Sequence, residues 1–153
     1  MEAILLDTNV VSELMRSQPE KTVLDWFAGR TGDIFYVSAV TQAEIMLGIS
    51  LLPAGKRRDA LTLAAEGMFS QDFAERCLPF DATGAAIYAA IVAGRRRAGQ
   101  AISTEDALIA AIALTHGYPL ATRNIKDFLH IDGLTLYNPW QVEHGYHPRP
   151  LLN

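Results

Sequence analysis

Ala3-Ile4-Leu5-Leu6 is a short apolar run closed by three small polar residues, Asp7-Thr8-Asn9. Bounded in that way, it reads as a buried strand. Val10-Val11-Ser12-Glu13-Leu14-Met15 then carries apolar residues at helical spacing. Strand, turn and helix open an α/β unit and put Asp7 at the carboxyl end of the first strand, where open parallel sheets place their ligands. A carboxylate beside a buried strand is costly unless something meets it. That partner is an Arg, the N–H groups of a helix end, or a metal ion. The alternative is that Asp7 simply caps the next helix through the amides of Asn9 and Val10.

The pattern recurs along the chain. Ile34-Phe35-Tyr36-Val37 is aromatic and β-branched, a second strand. A helix is expected from Gln42 to about Leu52. Thr41 and Glu44 have capping-box spacing, so Glu44 either reaches back to the Thr41 amide or lies at a strand end next to that of Asp7. Gly48 shares the Glu44 face, where a Gly costs about 1 kcal/mol of helix stability; close packing against strand one or a partner subunit would explain it. A further helical stretch begins at Lys56-Arg57-Arg58, and Gly67 is where it kinks or splits. Residues 78–81 form a third strand, with Pro79 marking an edge or a start. Asp81 caps a helix over 82–98. That helix ends in Arg95-Arg96-Arg97, which suits the negative end of a helix dipole or a phosphate-contacting rim.

Ser103 is the expected N-cap of the helix running to His116, with Asp106 at N3. There the helix field depresses the carboxyl pKa and keeps it ionised. Glu105 points about 100° away around the helix. Residues 118–122 read as a fourth strand, Arg123 to Phe128 as a turn into a short helix, and residues 135–140 as a last strand and exit. The tail, with His144 and His147, reads as irregular.

Asp7, Glu44, Asp106 and the Asn124/Asp127 pair thus follow strands in a βα alternation that favours a parallel sheet. Clustered carboxylates repel, and divalent cations among them make the cluster tolerable. Oxygen ligands without Cys or His suit Mg²⁺ or Mn²⁺ rather than Zn²⁺. Such a site fits phosphodiester hydrolysis. A net charge of −4 argues against a chain that holds nucleic acid mainly through a basic face. Cys77 is the only cysteine, so no internal disulfide exists. No apolar run approaches the ~20 residues of a membrane span. No basic-then-apolar signal precedes the first strand, and a reducing cytoplasm is expected. The length of 153 residues fits one domain, without low-complexity segments or repeats.

Four segments now carry a resemblance. Leu5 to Glu13, Ser38 to Gly48, Asp106 to Ala110 and Leu120 to Phe128 occur in an order that resembles a PIN domain, and more narrowly the VapC-type toxins of bacterial toxin–antitoxin modules, including the FitB-like branch. Tyr137-Asn138-Pro139-Trp140 also fits that group. The resemblance implies a three-layer α/β/α domain over about residues 1–140, with a central parallel sheet of four to five strands and residues 141–153 as a tail. It implies a Mg²⁺-dependent endoribonuclease, with Mn²⁺ as a substitute, silenced by a cognate antitoxin and paired as a homodimer. DNA would be contacted only through the antitoxin. Asp7, Glu44 and Asp106 match the active-site acids, with Asp7 and Asp106 as metal ligands. Thr8 and Asn9 match the polar pair supporting the first Asp, near the substrate. Arg123 or the basic runs would steady RNA phosphates. Asn124 stands where many relatives have Asp, so Asn124 or Asp127 closes the cluster, and the sequence leaves open which. Ile45, Met46, Ile49 and Leu52 are either a dimer surface or plain core.

Two rivals have different chemistry. One is a PIN-like subunit of a DNA-bound toxin–antitoxin complex, acting mainly in transcriptional autoregulation with little nuclease activity. The other is a phosphatase with Asp7 as nucleophile. The haloacid-dehalogenase type needs a second Asp two residues on, where this chain has Asn9.

Overall fold

The protein is described here by a computed structural model over residues 1–141, so the two tail histidines lie outside the described residues. The elements are β1 (Ala3–Leu6), α1 (Thr8–Leu14), α2 (Lys21–Ala28), β2 (Ile34–Ser38), α3 (Ala39–Ser50), α4 (Lys56–Gly67), a π-helical turn (Met68–Asp72), β3 (Cys77–Leu78), α5 (Ala82–Arg97), α6 (Thr104–His116), β4 (Leu120–Ala121), α7 (Ile125–Phe128) and β5 (Leu136–Tyr137).

All five strands are parallel, in the order β3-β2-β1-β4-β5. β1 is central: Leu5 pairs with Tyr36 on one side and Leu120 on the other. A strand buried on both faces must be apolar at every position rather than alternating, and Ile4, Leu5 and Leu6 are fully buried. Their two-residue period divides the core. Ile4 and Leu6 pack with Val10, Val11 and Ile45 beneath α1 and α3, while Leu5 packs with Ile109, Ile112 and Phe128 beneath α6 and α7. This is the expected three-layer α/β/α arrangement.

From β1 the chain builds outward to β2 and β3, then returns to add β4 and β5 on the opposite side. The winding reverses between β1 and β4, and there a doubly wound sheet opens its ligand crevice. Asp7 follows β1 and Thr122 follows β4, so both stand at that crevice.

Several boundaries differ from expectation. The N-cap of α3 is Ser38, whose Oγ accepts from the Thr41 amide at 3.0 Å, so the helix begins at Ala39 rather than Gln42. Glu44 then lies past the first turn and cannot serve as a reciprocal cap. β3 ends before Pro79, which has no N–H with which to extend a ladder. β4 and β5 are two residues each. The long helix does split at Gly67, where α4 passes into the wider π turn. Gly48 is not explained by packing within the chain, because a Cβ added there would meet no atom within 4 Å. The suggested dimer residues divide: Ile45 is core, whereas Met46 is 53% exposed.

Asp81 caps α5 as expected, with Oδ1 accepting from the Gly84 amide at 3.0 Å. Replacing it by Ala is expected to cost about 1 kcal/mol, read as a lower urea midpoint with an unchanged slope.

Candidate active site

Asp7 is only 4% exposed. Its Oδ1 accepts from the Thr8 amide at 2.8 Å, making it the N-cap of α1. Its Oδ2 accepts from the Thr122 hydroxyl at 2.7 Å and, at 3.4 Å, from the Asn9 amide group. No Lys or Arg of the described residues pairs with it. Of the partners anticipated from the sequence, a helix-end N–H is therefore present and an Arg is not. Burial, resisted by the bonds from Thr122 and Thr8, pushes the Asp7 carboxyl up to about 6, with the charges of Asp106 and Glu44 adding to the rise.

Asp106 sits at the third position of α6, and its amide donates to the Ser103 cap at 3.1 Å. Its carboxyl is raised, contrary to the depression expected from the helix terminus. Burial is the largest cause, the Ser103 hydrogen bond opposes it, and the charges of Asp127, Glu44 and Glu105 add to it. The sequence displays the helix terminus but not the low-dielectric wall beside it.

Glu44 is fixed from β1's side of the crevice. The Thr8 hydroxyl donates to Glu44 Oε1 at 2.9 Å and stands 2.9 Å from the hydroxyl of fully buried Thr41. Thr8 has one proton to give, so Thr41 donates to Thr8 and Thr8 to Glu44. Asn9 is equally engaged: its Oδ1 accepts from the Arg123 amide at 3.2 Å, while its amide group faces Asp7 and Thr122. Thr8 and Asn9 thus spend their polar atoms holding other site residues.

Asn124 and Asp127 are both exposed. The Asn124 amide donates to the Thr122 hydroxyl at 3.0 Å, and its side chain makes no cap on α7. Asp127 is the member of the pair whose charge acts on Asp106. Arg123 is exposed, its guanidinium 5.1 Å over the ring of Trp140.

The sequence did not single out Thr122. It is fully buried, and its Oγ1 joins Asp7, Asn9 and the Asn124 amide. A β-branched residue closing a strand offers no signal of that role.

The PIN domain family model matches residues 4–134. The chain belongs to the PIN domain family. It is 46% identical over 139 residues to the plasmid stability protein StbB of Pseudomonas syringae pv. tomato, covering 91% of this chain and 99% of that one. It is 40% identical over 138 residues to the VapC ribonuclease Y4jK of Sinorhizobium fredii, covering 90% and 98%. Among solved structures it is similar to the FitAB complex bound to an IR36 DNA fragment, with 42% identity, a TM-score of 0.83, and 92% and 98% of the two chains covered.

PIN-domain VapC nucleases depend on a metal ion, and the crevice of this PIN domain suits one. A buried carboxylate without a cation, next to further carboxylates, is the arrangement that a bound cation relieves. Among the described residues no three acidic, His or Cys side chains converge closely enough to enclose an ion.

Proposed function

We propose that this PIN domain is a metal-dependent endoribonuclease toxin of the VapC type, silenced by a cognate antitoxin. The observation that carries this reading is the buried Asp7 beside Asp106 and Glu44 at the reversal of the sheet. The 40% identity to a VapC ribonuclease over nearly the whole chain supports it. Asp7 and Asp106 are the residues to hold the ion, Mg²⁺ with Mn²⁺ as a substitute, because every ligand offered is a hard oxygen. When bound, such an ion makes a water acidic enough to attack near neutral pH and offsets charge on the phosphodiester.

The chain's own groups do the rest. Thr122 and the Thr8 amide orient the two oxygens of Asp7. Thr8 aims Glu44 into the crevice, where its carboxylate orients the attacking water or takes its proton. Asp127, rather than Asn124, supplies the fourth charge. Arg123, laid over Trp140, gives the rim a cation for an RNA phosphate.

A groove of about 810 Å³ runs from Thr8 and Glu44 between α3 and α4, past Ile49 and Leu61 to Arg57. It reaches the site at Glu44, and Gly48 lies in its wall. The antitoxin is expected to lie along it and close the crevice. DNA is met through that partner, since this chain is itself acidic. No helix of the described residues is long and apolar enough to cross a membrane. The cytoplasm is the setting in which such a toxin meets RNA and antitoxin together.

Metal loading must displace the proton that Asp7 binds below about pH 6. Apparent Mn²⁺ affinity is therefore expected to be level above pH 6 and to fall by about tenfold per pH unit below it. Calorimetric titration at pH 5 and pH 7 checks this, and equal affinities would contradict Asp7 as a ligand. The function itself is tested with protein stripped of any partner and mixed with RNA in Mg²⁺, Mn²⁺ or EDTA. Cleavage in the metals and none in EDTA is expected. A folded protein inert in every metal would favour the DNA-bound regulatory subunit.

A further inference from the structure

The basic triplet at the end of α5 does not behave as one unit. Arg96 and Arg97 are exposed, whereas Arg95 is 9% exposed. A buried guanidinium ordinarily demands a carboxylate, yet Arg95 forms no ion pair with any described residue. Its donors go to backbone instead. One terminal nitrogen donates to the Leu129 carbonyl at 2.7 Å and to the Asp127 carbonyl at 3.2 Å, and the other to the Ala101 carbonyl at 3.4 Å. The Arg95 carbonyl in turn accepts from the Gln100 amide at 2.8 Å.

These acceptors lie in two separate segments. Ala101 belongs to the loop that leads into the Ser103 cap and Asp106. Asp127 and Leu129 form the carboxyl end of α7, where carbonyls lack helical partners and a cation is favoured. That end is not stable by itself: α7 has four residues, Asn124 gives it no side-chain cap, and His130 just beyond adopts the left-handed φ of 64°. A planar guanidinium bonding both segments fixes their separation more firmly than a flexible ammonium can.

We propose that Arg95 is a positioning residue, a buried clamp that ties the loop before Asp106 to the helix bearing Asp127 and so sets the spacing of these two carboxylates for the metal ion. This rests on the metal-site reading above. Arg95 touches neither substrate nor metal and acts only through the two acids.

The test is Mn²⁺ binding to the full chain freed of any partner, followed by the electron paramagnetic resonance signal of the free ion, with a thermal melt of each variant. Arg95→Gln is expected to weaken Mn²⁺ binding about tenfold, and Asp127→Asn by a similar factor. The double variant is expected to bind no more weakly than Asp127→Asn alone, because the clamp then has one acid fewer to place. Arg95→Lys keeps the charge and most of the volume, and is expected to fold and bind at an intermediate level should Arg95→Gln unfold. A lowered melting temperature with unchanged Mn²⁺ affinity in either Arg95 variant would overturn the inference, leaving a purely structural clamp. Additive losses in the double variant would overturn it too. An Asp127→Asn variant that binds like the parent would overturn it while sparing Asp7 and Asp106. A parent chain that binds no Mn²⁺ would instead bring down the metal-site reading and this inference with it.

Discussion

Asp7→Asn is expected to abolish RNA cleavage and, in the same molecule, to make the metal-free protein more stable. Removing one of the two carboxylates proposed to hold the ion would forfeit several kcal/mol of transition-state stabilisation, a loss of about 100- to 1000-fold in rate. The stability change has the opposite sign. Folding raises the Asp7 carboxyl from 3.8 to about 6, so the folded state binds a proton that the unfolded chain releases between those values. The stability contributed by the neutral Asp7 carboxyl is thus fully present below about pH 4, falls as pH rises toward 6, and is absent above it. At neutral pH the buried charge costs about 3 kcal/mol. Asn removes that cost, keeps an oxygen for the Thr8 amide, and turns an NH₂ toward the Thr122 oxygen. It loses about 1 kcal/mol of charged hydrogen bonding. A net gain of about 1–2 kcal/mol, or roughly 3–6 °C in melting temperature in EDTA at pH 7.5, is expected. The gain should vanish near pH 4, where Asp7 is already neutral. A variant no more stable than the parent at both pH values would show that Asp7 is not held at a cost.

Thr122→Val should do the reverse in one respect. Valine matches threonine in shape, so the fold has no steric reason to change. What disappears is the 2.7 Å donor to Asp7 Oδ2 and the acceptor for the Asn124 amide. Losing a buried bond to a charged group costs about 2–3 kcal/mol. Without that donor the Asp7 carboxyl rises further, so the variant should require a higher pH to bind Mn²⁺ and should cleave RNA about tenfold more slowly or worse. Thr122→Ser, which restores the hydroxyl, should recover most of the loss. An isosteric Val variant as active and stable as the parent would remove Thr122 from the site.

The sequence treats Asp7 and Thr122 unequally. Asp7 is conspicuous, because a charge ending a run of buried aliphatic residues has few explanations. The parallel sheet is equally readable, since strands with no polar face must be covered on both sides. Asp106 is readable in place but not in charge state. Its cap and helix position are local in sequence, whereas the burial that lifts its carboxyl comes from elements distant in the chain. For Glu44 the local Thr41 spacing offers a cap as an alternative to a place in the site, while its actual partner Thr8 is 36 residues away. Thr122 and Arg95 stay hidden for related reasons. A threonine ending a strand looks like strand propensity, and the first of three arginines ending a helix looks like dipole compensation. Only their partners reveal them: Asp7, 115 residues from Thr122, and the carbonyls of Asp127 and Leu129, 32 and 34 residues from Arg95.

On the proposed reading, a carboxylate held at a cost to stability at the sheet reversal equips this PIN domain to cleave RNA. The most direct measurement is RNA cleavage by partner-free protein and by its Asp7→Asn variant, in Mg²⁺ and in EDTA, with melting curves taken on the same samples. Cleavage by the parent in Mg²⁺ alone, with a variant that is inert yet melts higher in EDTA, is the predicted result. A folded variant that cleaves as fast as the parent would remove Asp7 from the active site.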